Sequence, residues 1–486
     1  VSSKDDDEQQ QQQQQLHKPI YRVLLPRMCL NRFYLAQGVK LYSHETWKVC
    51  FPSQGLELVA THAGAICRYY IQMCDADNHV VREAACQAVA ELATKIGTHP
   101  TYSASLAPFV PMLLQALLMC FHDESWPVRD EACLACGIFC RAYPEECRPE
   151  LKVLYERWTE QLTDQIWSVR EDAAVALGDA LMAYPELLPD LLKLLEEKIP
   201  AARDQPAQTL EDYKAKQNDI ESHTDSQLYS CGSLAPKLGK GSQRKAGAGR
   251  IGCMSCGITR PKAPWEATDG CIYLVRELCI KSCADNEEDP PAPFSMEDDT
   301  LVPLLEHIVD VCRVRHFPQA DDLRTTLWRN IPLMAQALGK QRFKRTYLHL
   351  VLEPLFVNLE STTASALSKH AAGQCVEELA ILVGPMILRG RLMGKLDHEE
   401  LFDQVMQERQ QMKRHQQQQH GGPNGDGGFS PFGPADLLLG VNNSTSGGGG
   451  SGPTVFPRPS GNLPTTAFPT TTKTPSGSGL GFSESL

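Results

Sequence analysis

Two C-x-x-C pairs are the residues of this sequence whose spacing could hold a metal ion or form a redox disulfide. Cys133 and Cys136 form the first pair, within the stretch CLACGIFC that also contains Cys140. Cys253 and Cys256 form the second pair, flanked by glycines in GRIGCMSCGI. Thiolates at this spacing bind structural zinc and also occur in thiol–disulfide enzymes. The chemistry open to each pair depends on whether it lies on a packed helix or in a loop.

Hydrophobic periodicity places the first pair on a helix. Three segments, HVVREAACQAVAELA, WPVRDEACLACGIFC and WSVREDAAVALGDAL, align on Val81, Val128 and Val169. In each segment the residues 4, 7, 8, 11 and 12 positions after the reference valine are apolar, which is the spacing of one α-helical face. Cys136 and Cys140 fall on that face. The sequence therefore favours packing over a metal or redox role for CLACGIFC, because a free cysteine usually behaves as a small hydrophobe.

Each of these helices is preceded by another apolar segment, so the repeating unit is a helix pair. First helices are predicted at residues 105–121, 148–163 and 185–199. The partner of the last one begins only at Trp265, where Ala267 takes the reference position and the same apolar spacing returns. Two weaker pairs follow, with references at Leu323 and Ala364, and the first helix of the earlier pair is predicted at residues 301–317. A helix pair that recurs about every forty residues is typical of a solenoid, so we predict an all-α fold, an α-solenoid of about six helix pairs.

Composition separates the repeat region from two tails and one insertion. Residues 1–15 are acidic and glutamine-rich, and residues 416–486 are mainly Gly, Ser, Thr and Pro. Both are predicted to be disordered, because they cannot bury enough apolar surface to offset the entropy of ordering. The helical solenoid is predicted to span residues 16–415. Residues 200–264 are predicted to interrupt it as a long loop within the fourth repeat.

The turn between paired helices carries the pattern D-x-x-x-x-V-R. The pattern is complete from Asp123 to Arg129 and from Asp164 to Arg170, whereas the first repeat keeps Arg82 but has alanine at the acidic position. Paired helices with this turn resemble HEAT repeats. The resemblance implies that Asp123, Arg129, Asp164 and Arg170 form a ladder of ion pairs between repeats. It also implies that the second helices present a concave surface to a partner protein.

Acidic residues recur near the start of the second helices. Stacked repeats would align six carboxylates that lie two or three residues after the reference position: Glu83, Asp130, Glu131, Glu171, Asp172 and Asp269. Such a row is a candidate binding surface for a basic segment of a partner protein. The alternative is that these acids only stabilise the positive ends of the helix dipoles.

Tryptophan also recurs at one position of the repeat. Trp126, Trp167 and Trp265 each lie two residues before their reference position. Three exposed tryptophans in a row would be anchors for a partner protein. The alternative is that each packs against the next repeat.

The insertion contains the second C-x-x-C pair, which helix packing does not explain. Cys253 and Cys256 supply two of the four ligands that a structural zinc needs, and Cys231 and His223 are candidates for the others. A single C-x-x-C pair is a weak signal, and a loop without a metal is the alternative. We predict no other cofactor.

Signals for catalysis are few. His-Glu pairs, which hold iron in the HEAT-like deoxyhypusine hydroxylases, occur only at His44 and His398 and do not recur at equivalent repeat positions. No phosphate-binding G-x-x-x-x-G-K-[ST] loop is present in the sequence. We therefore predict a non-enzymatic scaffold or adaptor that holds a partner protein. The alternatives are a metal-dependent enzyme on the same frame and a carrier similar to nuclear transport receptors.

Charge and cysteine usage limit the partners and the compartment. The net charge of −12 favours a basic protein partner over a nucleic acid. The long uncharged run from Thr101 to His122 is interpreted as a buried helix rather than a membrane span. Eighteen cysteines with no recognisable secretory segment indicate reduced thiols, and hence a cytoplasmic or nuclear protein.

Overall fold

The structure, a computed structural model, describes residues 18–214, 262–283 and 292–420. In the last range it describes the side chains as far as residue 411. Every regular element in these ranges is helical, and no strand occurs within them. The described residues all belong to one compact unit. The predicted all-α class is confirmed.

Consecutive helix pairs make up most of this unit. Three helices come first: α1 (Tyr21–Asn31), α2 (Gln37–Cys50) and α3 (Gly55–Thr61). The six pairs are α4 (Ala63–Cys74) with α5 (His79–Leu92), α6 (Val110–Cys120) with α7 (Trp126–Ala142), α8 (Leu151–Gln161) with α9 (Trp167–Ala183), α10 (Leu188–Lys198) with α11 (Pro264–Ser282), α12 (Asp298–Val311) with α13 (Ala320–Leu338), and α14 (Leu348–Glu360) with α15 (Ala366–Val383). Helix α16 (Leu396–His420) follows them. We refer to the pairs as repeats one to six.

Short helical segments complete the connections. Four are α-helical turns, at Ser103–Leu106, Pro144–Cys147, Lys340–Arg342 and Pro385–Gly390. Four are 3₁₀ segments, at Ala107–Phe109, Arg148–Glu150, Pro185–Leu187 and Ile199–Asp204. Two are π-helical, at Ala93–Gly97 and Phe343–Tyr347.

The second helices begin where the sequence supplies an acceptor for backbone N–H groups that have no partner inside the helix. In repeat one, Asn78 Oδ1 accepts from the N–H of Val80 at 3.0 Å. In repeat two, Asp123 Oδ1 accepts from the N–H of Ser125 at 2.8 Å, and Asp164 makes the equivalent bond before α9. The turn aspartates therefore stabilise the turn that leads into their own second helix, in addition to any contact with another repeat.

The apolar face predicted from the periodicity forms the core. In repeats one to four, every residue at the five predicted apolar positions is at most 5% exposed. The reference residues Val128 and Val169 are fully buried and Ala267 is 8% exposed. Val81 differs, because it is partly exposed while Val80 beside it is buried. The cysteines of CLACGIFC are fully buried in this core, which agrees with a packing role.

The second helices are the closely packed layer of the stack. Neighbouring second helices contact each other extensively, whereas neighbouring first helices make few contacts. Close approach requires glycine at two points. A Cβ at Gly137 would lie 2.8 Å from the Cα of Ala176, and a Cβ at Gly270 would lie 2.0 Å from the carbonyl oxygen of Leu162. The second helices are therefore the layer in which consecutive repeats approach most closely.

Two predicted boundaries differ from the observed ones, and the insertion is described only at its two ends. The first helix of repeat five ends at Val311 rather than at residue 317, and Arg324 donates to the carbonyl of Val314 at 2.7 Å in the turn that follows. Helix α16 continues to His420, beyond the predicted end of the solenoid at residue 415. The insertion begins with the 3₁₀ segment Ile199–Asp204, while residues 215–261 lie outside the described ranges, as do residues 1–17.

One helical stretch, Ser103–Cys120, is long and apolar enough by composition to cross a membrane. In the structure it is divided between a short α-turn, a 3₁₀ segment and helix α6. Leu113, Leu114 and Leu117 on one side of α6 are fully buried in the core, and Met119 on the other side is 69% exposed. This two-sided pattern is typical of a helix at the surface of a packed stack.

Candidate partner-binding surface

Arginines of the turns join consecutive repeats. Arg82 holds the carboxylate of Asp123 with two nitrogens, Nε at 2.6 Å and Nη2 at 2.8 Å. Arg129 Nη2 donates to Asp164 Oδ1 at 3.2 Å. Each arginine also donates to the carbonyl of its own turn, as Arg129 does to the carbonyl of Asp123 at 2.9 Å. The side chain of each turn aspartate thus links the arginine of the preceding repeat to its own second helix.

The next rung of this ladder uses a different residue. Arg170 pairs with Asp269 on helix α11, with Nη2 at 2.7 Å and Nε at 2.8 Å from Oδ2. The position equivalent to the turn aspartate is occupied in repeat four by Lys262, which donates to the carbonyl of Glu160 at 2.8 Å. A lysine cannot accept a hydrogen bond from the arginine, so a carboxylate seven residues further on, that of Asp269, takes its place.

Two residues predicted to bind a partner are therefore placed elsewhere. Asp269 is fully buried and belongs to the ladder, so we do not include it in the candidate partner-binding surface. Trp265 is 8% exposed, and its ring lies 5.2 Å from the guanidinium of Arg170. Burial beneath Arg170 removes it from the predicted row of exposed tryptophans.

The remaining five acids of the second helices lie close enough to interact, and we call them the acidic stripe: Glu83, Asp130, Glu131, Glu171 and Asp172. Asp130 is 7% exposed, and its Oδ2 accepts from the hydroxyl of Ser168 at 2.7 Å. Its Oδ1 is buried without a hydrogen-bond partner among the described residues. Glu131 accepts from the amide of Gln87 at 2.6 Å.

Burial makes these carboxyls costly to ionise. It raises the pKa of Glu131 to about 7. It also raises the pKa of Asp130 and of Asp172, and for Asp172 the neighbouring carboxylates of Asp130, Glu131 and Glu171 raise the pKa further. The pKa of Glu83 is raised by burial as well. A cation from outside the chain would relieve this repulsion, because it stabilises the charged form of each acid.

Arg276 ends the stripe at repeat four. Its guanidinium pairs with Glu171 and with Glu277, and it donates to Asn330 Oδ1 at 2.9 Å. Helix periodicity does not predict the role of Arg276, although an arginine among the apolar residues of YLVRELC is a signal of a buried ion pair. Once Glu171 is neutralised, four acids of the stripe have no ion pair within the described ranges: Glu83, Asp130, Glu131 and Asp172.

The other two tryptophans lie at the first residues of their second helices. Trp167 is 54% exposed and precedes Ser168, the residue bonded to Asp130. Trp167 is therefore adjacent in the chain to a residue that contacts the acidic stripe. Trp126 is partly exposed at the start of α7. The predicted tryptophan row is reduced to these two residues.

The candidate metal ligands and the His-Glu pairs do not form a site that the structure describes. Cys231, Cys253 and Cys256 lie outside the described residues, so the zinc prediction for the insertion stays a prediction. His398 Nε2 lies 3.0 Å from Glu360 Oε1, and its ring stacks on Phe356. His44 lies on α2, far from it in the chain. The two His-Glu pairs thus occupy unrelated surroundings.

The comparison with protein families identifies one of the pairs. The family model described as HEAT repeat matches residues 113–143, which are most of α6 and all of α7. This pair is a HEAT repeat. The neighbouring pairs share its helix order, its buried face and its turn arginine, so the described part of the chain is a solenoid of HEAT-like helix pairs. No curated protein sequence matches the chain.

Solved structures with similar folds include two from nuclear import. A chain from the structure of Kap95p with RanGDP is 13% identical with a TM-score of 0.30, and the match covers 78% of this chain and 43% of that one. Importin beta in an ammonium sulfate condition is 15% identical with a TM-score of 0.25, covering 80% and 48%. An engineered protein is 11% identical with a TM-score of 0.20, covering 79% and 98%. The chain thus spans less than half of the two import proteins, and at these TM-scores no particular relative is indicated.

Proposed function

We propose that this chain is a non-enzymatic scaffold whose acidic stripe holds a basic segment of a partner protein. The observation that carries the proposal is the set of four stripe acids that have no ion pair within the described ranges, near the starts of three consecutive second helices. A structural role would normally supply each buried carboxylate with a cation, as the ladder does for Asp123 and Asp269.

The geometry favours the lysine and arginine side chains of a peptide. The stripe runs across three consecutive second helices, so its length suits an extended or helical segment with several basic residues. Asp130 is 7% exposed, so a lysine or arginine that pairs with it is largely withdrawn from water. The partly buried setting strengthens each ion pair relative to one at an open surface.

Trp167 adds an aromatic surface beside the stripe. Its ring is more than half exposed, and Trp167 directly precedes Ser168, whose hydroxyl donates to Asp130. An arginine or lysine that pairs with Asp130 can lay its aliphatic stem or its cationic group on this ring. We therefore include Trp167 in the proposed binding surface.

The described cysteines are all free, which supports the proposed location in the cytosol or nucleus.

The test measures binding of a defined probe to the full chain. The probe is a fluorescein-labelled peptide of alternating lysine and serine, and its binding is followed by fluorescence anisotropy. A peptide with glutamate in place of lysine is the negative probe. In the stripe variant, Asp130→Asn, Glu131→Gln and Asp172→Asn are combined. We expect its affinity for the lysine peptide to fall about tenfold or more, since three partly buried ion pairs are lost.

A matched variant separates the stripe from the net charge. Glu156, Glu196 and Glu197 are exposed acids on the first helices, and changing all three to glutamine alters the net charge by the same amount. This control variant should bind the lysine peptide almost as well as the wild type. An equal loss in both variants, or no binding by the wild type at low salt, would overturn the proposal.

A further inference from the structure

Three buried thiols converge at the interface between repeats one and two. Cys74 is the last residue of α4, Cys86 lies on α5, and Cys120 is the last residue of α6. Their Sγ atoms lie within 4.8 Å of one another, and the three residues are 5%, 0% and 2% exposed. We call this group the thiol cluster. It is separate from the two C-x-x-C pairs, which begin at Cys133 and at Cys253.

The repeat pattern does not account for the cluster. Cys120 Sγ donates to the carbonyl of Cys74 at 3.5 Å. At the next interface the equivalent bond is made by Gln161, whose amide donates to the carbonyl of Phe121 at 3.2 Å. An amide is the stronger donor of the two, so this bond gives no reason for a thiol at position 120. The position of Cys86 is filled by alanine in repeat three, so packing does not demand sulfur there either.

The arrangement suits a soft metal ion. A Zn–S bond of ~2.3 Å places three thiolate sulfurs about 4 Å apart, so the cluster needs to contract only slightly around an ion. No fourth His, Cys, Asp or Glu ligand atom belongs to the group in the described part of the chain. The carbonyl of Cys74 lies at the end of α4 and faces Cys120, so it is available as a fourth donor once that thiol ionises.

We propose that Cys74, Cys86 and Cys120 bind a thiophilic d¹⁰ cation, Zn²⁺ or Cu⁺, as three thiolates. The ion replaces the three thiol protons, which pass to solvent, and no electron is transferred. A divalent ion leaves a single negative charge in the buried site, which favours Zn²⁺ over Cu⁺. The ion cross-links α4, α5 and α6, and it enters as the chain folds because the thiols are not accessible afterwards.

The test uses the full chain carrying Cys253→Ser and Cys256→Ser, so that the predicted site in the insertion cannot contribute metal. The protein is refolded under reducing, oxygen-free conditions with either Zn²⁺ or Cu⁺, and bound metal is measured by mass spectrometry after gel filtration. Cys86→Ala is compared with Cys133→Ala, which changes a fully buried thiol at the same repeat position outside the cluster. We call the chain that carries only the two serine substitutions the background protein. We expect about one metal ion per chain in the background protein and in its Cys133→Ala variant, and no bound ion in its Cys86→Ala variant.

Two further measurements keep the test decisive. Refolding with Co²⁺ should give thiolate-to-cobalt charge-transfer absorption in the background and in Cys133→Ala only. Cys120→Gln places at position 120 the residue that Gln161 supplies at the next interface, so it retains the inter-repeat bond while removing a ligand. Circular dichroism checks folding of each variant. A folded background protein without metal in both arms, or metal retained by Cys86→Ala or Cys120→Gln, would overturn the proposal.

Discussion

The Nη2 atom of Arg170 lies 2.7 Å from the carboxylate of Asp269, and both side chains are almost completely buried although 99 residues separate them. Asp269→Asn leaves the arginine charge buried without its counter-charge. We expect the free energy of unfolding in urea to fall by about 3–5 kcal/mol. The double variant Arg170→Met/Asp269→Asn should lose less than the sum of the single changes, because no charge is then left unpaired.

The control for this prediction is an exposed pair. Arg148 and Glu186 are about half exposed and their nearest atoms are 2.9 Å apart. Glu186→Gln should change the free energy of unfolding by less than about 1 kcal/mol. If Asp269→Asn costs no more than Glu186→Gln, the pair does not hold repeats three and four together.

Glu131 should make stability depend on pH. Its pKa rises from the usual 4.5 to about 7 on folding, through burial, with Glu83 adding to the rise while Gln87 and Lys40 oppose it. The folded chain therefore binds the proton more tightly than the unfolded chain. The stabilisation by neutral Glu131 is complete below about pH 4.5 and is lost as pH rises through about 7, a change of about 1 to 3 kcal/mol.

Glu131→Gln isolates this effect. Glutamine keeps the shape and the neutral state, so the variant should gain stability relative to the wild type between about pH 4.5 and 7, with a constant difference above that range. Urea unfolding at a series of pH values measures the difference. The same substitution at exposed Glu156 serves as the control and should follow the wild-type profile. Parallel curves for Glu131→Gln and the wild type would contradict the prediction.

Gly270 is expected to be intolerant of any side chain. A Cβ there meets the carbonyl oxygen of Leu162 at 2.0 Å, a backbone atom that can move only if α11 shifts away from repeat three. Gly270→Ala should lower the free energy of unfolding by about 2–4 kcal/mol despite the better helix propensity of alanine. Gly390→Ala is the matched control, since nothing lies within 4 Å of its Cβ position. Equal stability of the two variants would show that α11 adjusts freely.

The tryptophans should separate binding from stability. Trp265→Ala removes a buried ring that packs on Arg170 and should cost about 3–5 kcal/mol of unfolding free energy. Trp167→Ala removes an exposed ring and should leave stability nearly unchanged, while weakening binding of the lysine peptide. Anisotropy and urea unfolding on the same samples measure both. If Trp265→Ala were as stable as the wild type, or if Trp167→Ala bound the lysine peptide as tightly as the wild type, these assignments would be contradicted.

Periodicity was sufficient to predict the stack because the buried face depends on residues close together in the chain. Val128 and Val169 and the apolar positions that follow them are buried as predicted, since a helix places them on one side whatever its neighbours are. The end of α12 was harder to predict. It depends on Arg324, which contacts the turn from the following helix, and no local pattern at residues 312–317 shows that contact.

The candidate site was only partly predictable for a related reason. The acids of the second helices could be aligned from the sequence, but whether each one meets a cation depends on the adjacent repeat. Asp269 forms an ion pair with Arg170, since Lys262 occupies the turn position of repeat four. Glu171 forms an ion pair with Arg276 of the following repeat. The thiol cluster joins the ends of two first helices to a second helix, and the periodicity did not fix how those ends approach.

The rung between Arg170 and Asp269 has a consequence for the evolution of the chain. Thr268 beside it accepts from the N–H of Ala202 and donates to the carbonyl of Ile199, both at 2.9 Å, so the two sides of the insertion are fastened to each other. Arg170 lies before the inserted residues and Asp269 lies after them, so their ion pair joins repeats three and four across the insertion. The insertion can therefore be lengthened, shortened or exchanged as a cassette, and selection can act on its sequence independently of the continuity of the stack.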